Sequence, residues 1–200
     1  MLHTLLSLLV FISGLCVTDL KQKETLKETK KWVVTENSCL RVFGSTNVNK
    51  FRCDIIGYNN PDTISIQSFN QLISLSGEVN LRIANFNCYN ILMTRELRKT
   101  LQVNNFPNLQ IQFISLNSFP EITSKPACIT GLVDIKLAGK CKRYNINYEL
   151  SIDSKNIIHL NGHRAINFSD FGLHPPKKIG GMIAAKDKLI VEFNLNLRSI

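Results

Sequence analysis

The sequence predicts an all-β fold of about eight antiparallel strands, joined by polar turns and accompanied by one or two short helices. Three observations predict it. Apolar and polar residues alternate in many separate runs, which is the period of a strand with one buried face. Ile, Val and Phe are abundant and Asn is unusually frequent, which favours strands joined by turns. A chain of 200 residues is long enough to arrange such strands as one closed barrel or one sandwich.

Two hairpins are the clearest elements. The alternating runs at 39–43 and 50–55 flank the turn GSTN, and the runs at 129–137 and 144–150 flank Ala138-Gly139. Single strands are predicted at 78–83, 109–113 and 189–198, and the last has the cleanest alternation. Each of these strands should have one face in the core and one in water.

The segment from 150 to 170 contains two possible turns, Asp153-Ser154-Lys155-Asn156 and Asn161-Gly162, which predict different topologies. A strand that continues through Asn161-Gly162 keeps Ile166 and Phe168 on the apolar face, with Arg164 as the exception. A tight hairpin there would expose Ile166 and Phe168. We therefore predict one long strand with Gly162 at a bend or bulge.

One helix is predicted from Ile91 to Gln102, because Met93, Leu97 and Leu101 recur at a spacing of four among charged residues. Its simplest role is a lid packed on one end of a barrel. A second short helix is predicted from Phe69 to Leu75.

The amino-terminal segment predicts export. An uncharged apolar run from Leu5 to about Val17 is too short for a spanning helix and precedes a charged segment, as in a secretory signal. We predict a signal peptide at 1–16, a charged linker at 17–31 and a folded domain at 32–200, in a periplasmic or secreted protein. An uncleaved anchor and lipidation of Cys16 are the alternatives.

Cysteines and charge narrow the class of protein further. Six cysteines fit an oxidising compartment, and loss of Cys16 would leave an odd number, with at least one free thiol or an intermolecular bridge. The net charge of +9 is compatible with peripheral contact to an anionic membrane surface. The sequence has neither a basic helix nor an RNP motif, so nucleic acid is not predicted as a partner.

The sequence predicts no catalytic residue, metal or cofactor. His159 and His163 are four residues apart, which on a strand is about 13 Å and too far for one metal ion. His174 beside two prolines is interpreted as a loop residue. Asp170-Phe171-Gly172 matches a kinase metal motif, but the Gly-rich loop, strand lysine and H-R-D loop that it needs are absent from the sequence.

Several stretches in this order resemble the YceI-like family of exported lipid-binding barrels, in particular its branch with paired cysteines. After Trp32 and Ser38, GSTNVNKFRC resembles the first hairpin, and LRIANFNCYNILMTRELRKTLQVNNFPNLQIQF resembles the strand, helix and following strand. ITGLVDIKLAGKCK resembles the next hairpin, and INFSDFGLHPPKKIGGMIAAKDKLIVEFNLNL resembles the carboxy-terminal signature. The match extends from Trp32 to about Leu197 and assigns Asp-Phe-Gly to a transition from strand to loop.

The resemblance implies a lipocalin-like antiparallel barrel that holds a long isoprenoid or acyl chain. The residues of the predicted apolar faces are the candidates for lining it: Val79, Leu81, Ile83, Ile111, Phe113, Val133, Ile135, Ile146, Tyr148, Ile158, Leu160, Val191, Phe193 and Leu195. The alternative is a lumen filled by these side chains. The resemblance also implies a disulfide between Cys53 and Cys88, while the pairing of Cys39, Cys128 and Cys141 stays open. The segment from Ile56 to Ser76 is a longer insertion than the simplest family members carry, which leaves the geometry of the barrel entrance open.

Three functions are compatible with the sequence. The leading hypothesis is a non-catalytic carrier or scavenger of an isoprenoid-like lipid. The second is a cell-envelope enzyme that uses Cys141 or His159 on a lipid, although no G-x-S-x-G or H-E-x-x-H motif supports it. The third is a structural or adhesive barrel with a filled core. The sequence predicts neither the ligand nor the oligomeric state.

Overall fold

A computed structural model describes residues 28–58, 60–69 and 72–200 of the chain. Within these residues the chain forms thirteen strands, one α-helix and three short 3-10 helices. The strands are β1 (Glu28–Val34), β2 (Cys39–Ser45), β3 (Lys50–Ile56), β4 (Thr63–Phe69), β5 (Leu72–Ser76), β6 (Glu78–Arg82), β7 (Asn108–Leu116), β8 (Ala127–Leu137), β9 (Lys140–Ile152), β10 (Ile158–Asn167), β11 (Lys177–Lys178), β12 (Ile183–Ala184) and β13 (Lys188–Ser199). Helix α1 is Ile91–Thr100, and the 3-10 helices are Ile83–Asn85, Phe168–Phe171 and Ile179–Gly181.

Eight strands close into a barrel. In the order β1, β4, β5, β7, β8, β9, β10 and β13, each strand pairs antiparallel with the next, and β13 pairs back with β1. The β2–β3 hairpin pairs with β13 beside β1. Strand β5 pairs with the end of β7, and β6 continues the pairing along the first residues of β7. Closure pairs each of these eight strands with two neighbours, and β3 is left as an edge strand beside the barrel. The prediction of an antiparallel barrel of about eight strands is confirmed.

The two ends of the barrel differ. Strand register places α1, the β2–β3 hairpin and the β8–β9 hairpin at one end, which we call the helix end. The opposite end, the turn end, carries the β9–β10 turn and the end of β13. Trp32, Leu150 and Leu197 are at most 2% exposed near the turn end and fill it with side chains. The apolar core therefore begins at the turn end and extends toward the helix end.

Strand β10 decides between the two topologies that the sequence allowed. It runs without interruption from Ile158 to Asn167 and pairs with β13 in one continuous register, so the predicted long strand is confirmed. No register shift occurs at Gly162, so a bulge there is wrong. The reason for glycine is contact instead, because a Cβ at Gly162 would lie 2.3 Å from the ring of Phe193.

Strands β9 and β10 pair over only part of their length. Their pairing ends at Asn147 and His163, and toward the helix end the two strands diverge. We call this opening the β9–β10 gap. Tyr144 and Arg164 lie on its two sides, and the 3-10 helix Phe168–Phe171 follows β10 at its end.

Asp170 closes the gap at the helix end, which explains the Asp-Phe-Gly motif. Its carboxylate accepts hydrogen bonds from Lys142, from the Tyr144 hydroxyl at 2.9 Å and from the Asn167 amide at 2.9 Å. Gly172 follows with φ 66°, a left-handed conformation that glycine adopts without strain. The predicted transition from strand to loop is the observed structure.

The predicted helix at 91–102 is α1, whose first turn is capped by the Asn90 side chain, which accepts from the Met93 amide at 3.0 Å. The second predicted helix, at 69–75, is wrong. Phe69 ends β4 and Leu72 begins β5, and these strands form a hairpin in which Ile73 and Leu75 are buried. The period-2 pattern therefore prevails in this segment.

The predicted signal peptide lies outside the described residues, as do residues 17–27 of the predicted linker. Strand β1 begins at Glu28 and so includes the last four residues of that linker. In the part of the chain that the structure describes, no helix is long and apolar enough to cross a membrane.

Candidate functional site

An apolar cavity of about 90 Å³ lies inside the barrel and extends to the helix end. Residues from the inner faces of β2, β6, β7, β8, β9, β10 and β13 form its wall, and side chains of α1 and its end cover it. The volume is below the roughly 300–1,000 Å³ of pockets that hold drug-sized ligands. Accommodation of a long chain would therefore require lining side chains to rotate or the cover to move.

Ten of the fourteen candidate residues from the sequence line this cavity. They are Val79, Leu81, Ile111, Phe113, Val133, Ile135, Ile146, Val191, Phe193 and Leu195. They come from five strands whose alternate residues point inward, as the period-2 pattern requires. Their role in ligand binding stays a prediction.

The other four candidates, Ile83, Tyr148, Ile158 and Leu160, are buried but are not part of the cavity lining. Ile83 lies beyond the end of β6 in a 3-10 helix. Tyr148 packs edge-on against Phe193, with ring centroids 5.6 Å apart. Side chains thus fill the turn end of the lumen, as the alternative from the sequence proposed for the whole lumen, and the open space extends from the level of Ser38 and Leu195 to the helix end.

The predicted role of the helix as a lid on one end of the barrel agrees with the structure, because Leu97 and Leu101 cover the cavity from α1 and its end. The sequence did not identify the other residues of this cover, Phe168, Phe171 and Leu173, which come from the segment after β10. The three-residue spacing of Phe168 and Phe171 was a visible signal. Their placement over the barrel opening depends on how this segment folds back, which the sequence pattern does not show.

Few polar groups reach the cavity. The Ser38 hydroxyl accepts a hydrogen bond from the Asn196 amide at 2.9 Å and is therefore occupied. The Cys39 thiol is half-buried, and burial raises its pKa, so the neutral thiol is favoured over the nucleophilic thiolate. Neither Cys141 nor His159, the residues of the enzyme hypothesis, lines the cavity.

The histidines lie where the sequence placed them. His159 and His163 are both on β10, and His159 contacts Asn196 at 2.7 Å and Asp153 at 3.3 Å. His174 lies in the loop after the 3-10 helix Phe168–Phe171. Among the described residues, no group of three or more His, Cys, Asp or Glu could hold a metal ion.

A disulfide joins Cys53 of β3 to Cys88 between β6 and α1, as the resemblance implied. Beside it, the backbones of Asp54 and Asn87 exchange two hydrogen bonds of 2.9 Å. These contacts fasten the β2–β3 hairpin to the connection that leads into α1. Within the described residues, Cys39, Cys128 and Cys141 are free thiols.

Comparison with solved structures finds barrels of the same architecture. A polyisoprenoid-binding domain from Saccharophagus degradans, implicated in plant cell wall breakdown, superposes with a TM-score of 0.63 at 9% identity, over 86% of this chain and 100% of that domain. BcnA of Burkholderia cenocepacia gives 0.58 at 12% identity, over 80% and 95%. This chain has their fold. A YCEI protein of Campylobacter jejuni gives 0.46 at 14% identity, over 71% and 84%.

Sequence comparison adds no relative. No family model matches the chain, and no curated protein matches it. The resemblance to the YceI-like family is therefore confirmed at the level of the fold by the structural comparison.

Two buried tyrosines provide a matched test of the interior. The Tyr58 hydroxyl donates to Asp62 and accepts from the Asn80 amide at 3.0 Å. The Tyr148 hydroxyl has no hydrogen-bond partner among the described residues. We expect Tyr58→Phe to lower the free energy of unfolding by about 1–2 kcal/mol and Tyr148→Phe to raise it by about 1 kcal/mol. Urea denaturation measures both, and a loss of stability in Tyr148→Phe would contradict the assignment of an unpaired hydroxyl.

Tyr58 also makes stability depend on pH in alkaline solution. Burial, together with the hydrogen bond to Asp62, raises the pKa of Tyr58 to about 12, against about 10 in an unfolded chain. A raised folded pKa gives stability that is complete below pH 10 and is lost as pH rises through about 12. We expect the free energy of unfolding to fall across this window, and to fall less in Tyr58→Phe. Equal slopes for both proteins would contradict this role.

Proposed function

We propose that the protein is a remote member of the YceI-like family that binds a long apolar lipid chain inside its barrel, without catalysis. The observation that carries the proposal is the apolar cavity at the helix end. A structural neighbour named as a polyisoprenoid-binding domain supports the same class of ligand. The Cys53–Cys88 disulfide supports assignment to the branch with paired cysteines.

The energetics favour a hydrocarbon ligand. Burial of each methylene contributes about 0.8 kcal/mol, so a chain with ten buried methylenes gains about 8 kcal/mol before the costs of association and chain ordering. Aliphatic and aromatic side chains such as Val79, Val133 and Phe113 supply the wall for such a chain. Specificity would then follow from the width and length of the cavity.

Binding is proposed to be accompanied by movement at the helix end. The cavity is narrow, and Leu97 and Leu101 cover it from α1 and its end. Outward movement of this cover would lengthen the space for a chain, while the filled turn end stays in place. The Cys53–Cys88 disulfide would keep the amino-terminal side of α1 attached during such a movement.

We propose that the protein is exported, as a periplasmic or secreted carrier or scavenger, and that it contacts anionic membrane surfaces. The Cys53–Cys88 disulfide supports export, because disulfides persist in oxidising compartments. Membrane contact is supported by a surface at the helix end that we call the basic tip, formed by the β2–β3 and β11–β12 hairpins. Val48 is 65% and Met182 is 73% exposed there, and Asn47 links the two hairpins by donating to the Met182 carbonyl at 2.8 Å. Lys177 and Lys178 lie on β11 beside them. Exposed apolar side chains among lysines suit the interface of an anionic bilayer.

Isothermal titration calorimetry with geranylgeraniol, at several temperatures, tests lipid binding. We expect saturable binding of one molecule per barrel, with a negative heat-capacity change from burial of apolar surface. Oleyl alcohol tests an unbranched chain in the same way. Absence of binding for both alcohols by a folded protein would overturn the proposed function.

Membrane contact is tested by sedimentation with vesicles of phosphatidylglycerol. Lys177→Gln is expected to weaken binding about fivefold, because a basic residue near an anionic surface contributes about 1 kcal/mol. Lys155→Gln is the matched control, since Lys155 lies in the β9–β10 turn at the opposite end. Equal binding to phosphatidylcholine vesicles, or equal effects of the two substitutions, would contradict docking through the basic tip.

A further inference from the structure

Arg164 occupies an inward position of the barrel but has an exposed side chain. It lies on β10 between Gly162 and Ile166, which face the interior, and it pairs with Val191, whose side chain lines the cavity. Arg164 also lines the cavity. It reaches water because β9 has already separated from β10 at His163. Arg164 therefore lies in the β9–β10 gap, between the apolar cavity and solvent.

In the part of the chain that the structure describes, no acidic side chain neutralises this cation. Among the described residues, none forms a salt bridge with Arg164. Asp170, which closes the gap, accepts instead from Lys142, Tyr144 and the Asn167 amide. The guanidinium of Arg164 lies over the Tyr144 ring, with its central carbon 5.9 Å from the ring centroid. A cation–π contact at this distance leaves the N–H groups of the guanidinium available to a ligand.

The arrangement fits one end of an amphiphile. A guanidinium presents its N–H donors as a planar fork that matches the oxygens of a carboxylate or phosphate. The cavity wall beside it is apolar and is suited to a hydrocarbon chain. Arg164 is the only charged residue among those that line the cavity in the described part of the chain. One cation at the opening of an apolar cavity is complementary to an anionic head on an apolar tail.

We propose that Arg164 binds the anionic head of a single-chain amphiphile, a carboxylate or a phosphate, in the β9–β10 gap while the chain lies in the cavity. This inference rests on the proposed lipid binding and adds the class of head group. The hydrocarbon chain enters the cavity first, and the head group stays in the β9–β10 gap at the boundary with solvent. Tyr144 holds the guanidinium in place through its ring, and Asp170 fixes Tyr144 through the hydroxyl.

Two matched pairs of ligands test the inference: oleate with oleyl alcohol, and geranylgeranyl phosphate with geranylgeraniol. Dissociation constants are measured below the micelle concentration for the unmodified protein, Arg164→Gln, Arg164→Lys and the control Arg143→Gln. Arg143 lies on the same side of the barrel but pairs with Asp134 at 2.7 Å on the outer face. Thermal unfolding verifies that each variant is folded.

We expect Arg164→Gln to raise the dissociation constants of both anionic ligands at least tenfold and to change those of both alcohols by less than twofold. Arg164→Lys should retain part of the preference for the anions, and Arg143→Gln should change none of the four constants. Higher salt should weaken the anionic ligands more than the alcohols, because exposed charges are screened.

Three results would overturn the inference. If the unmodified protein binds anions and alcohols equally and Arg164→Gln changes neither, Arg164 has no role in head-group binding, while lipid binding stands. If inorganic phosphate alone binds at Arg164 as tightly as geranylgeranyl phosphate, the site serves a free anion and not an amphiphile. If none of the four chain ligands binds, the inference fails together with the proposed function.

Discussion

Replacing Cys53 and Cys88 together with alanine is expected to lower the free energy of unfolding by about 3–4 kcal/mol. The disulfide closes a loop with a sequence separation of 35 residues, and a cross-link over such a loop restricts the unfolded chain by about this amount. Both cysteines are buried. Beside the disulfide, Asp54 and Asn87 form a β-bridge and the Tyr89 hydroxyl donates to Asp54 at 2.6 Å. Loss of the covalent link should therefore loosen the attachment of the β2–β3 hairpin to the segment that enters α1 and leave it to these hydrogen bonds.

Denaturation in urea, with and without a reducing agent, measures this effect. Reduction of the unmodified protein should reproduce the loss of stability and should have no effect on the double variant. Cys128→Ala and Cys141→Ala are the controls, because both thiols are free and exposed, and each should change stability by less than about 0.5 kcal/mol. A double variant as stable as these controls would contradict the structural role of the disulfide.

Replacing Val133 with phenylalanine is expected to weaken binding of long-chain alcohols about fiftyfold while the barrel still folds. Val133 faces the cavity from β8 and is 2% exposed. The added ring atoms would occupy space for about three methylenes of the ligand, at about 0.8 kcal/mol each. The cavity can take up part of the added volume, so the cost to stability should stay within about 1–3 kcal/mol.

Leu132→Phe is the matched control for this substitution. Leu132 is the preceding residue of β8, so its side chain points to the outer face of the barrel. Calorimetric titration with geranylgeraniol should show unchanged affinity in this variant. Equal affinities of the Val133 and Leu132 variants would show that the ligand does not enter the lumen.

Local patterns predicted most of the barrel because one buried face imposes period-2 alternation. Strand β9, where Tyr144, Ile146 and Tyr148 are buried between exposed residues, shows the pattern clearly. The segment from Phe69 to Leu75 misled because Phe69, Leu72 and Ile73 also have helical spacing. Pairing with β4 decides its structure, and that contact is not visible in the segment itself.

The candidate site was harder to predict, because it depends on side chains that meet from distant strands. The alternation along each strand indicated that Tyr148 and Phe193 both face inward, but not that their rings pack together and fill one part of the lumen. The same alternation placed Arg164 on the inner face. Its exposure results from the divergence of β9 and β10 beyond His163, which no local pattern in either strand predicts. A sequence thus predicts on which face of a strand a side chain lies more readily than whether the lumen between the strands is open or filled.

Native mass spectrometry tests most directly whether the lumen at the helix end holds a long apolar chain. Protein purified without detergent is measured as isolated, after extraction with organic solvent and refolding, and after incubation with geranylgeraniol. We predict a bound species of discrete mass, at one molecule per barrel, in the first and third samples, with Val133→Phe deficient in both. A folded protein that carries no lipid on isolation and takes up none afterwards would contradict the account.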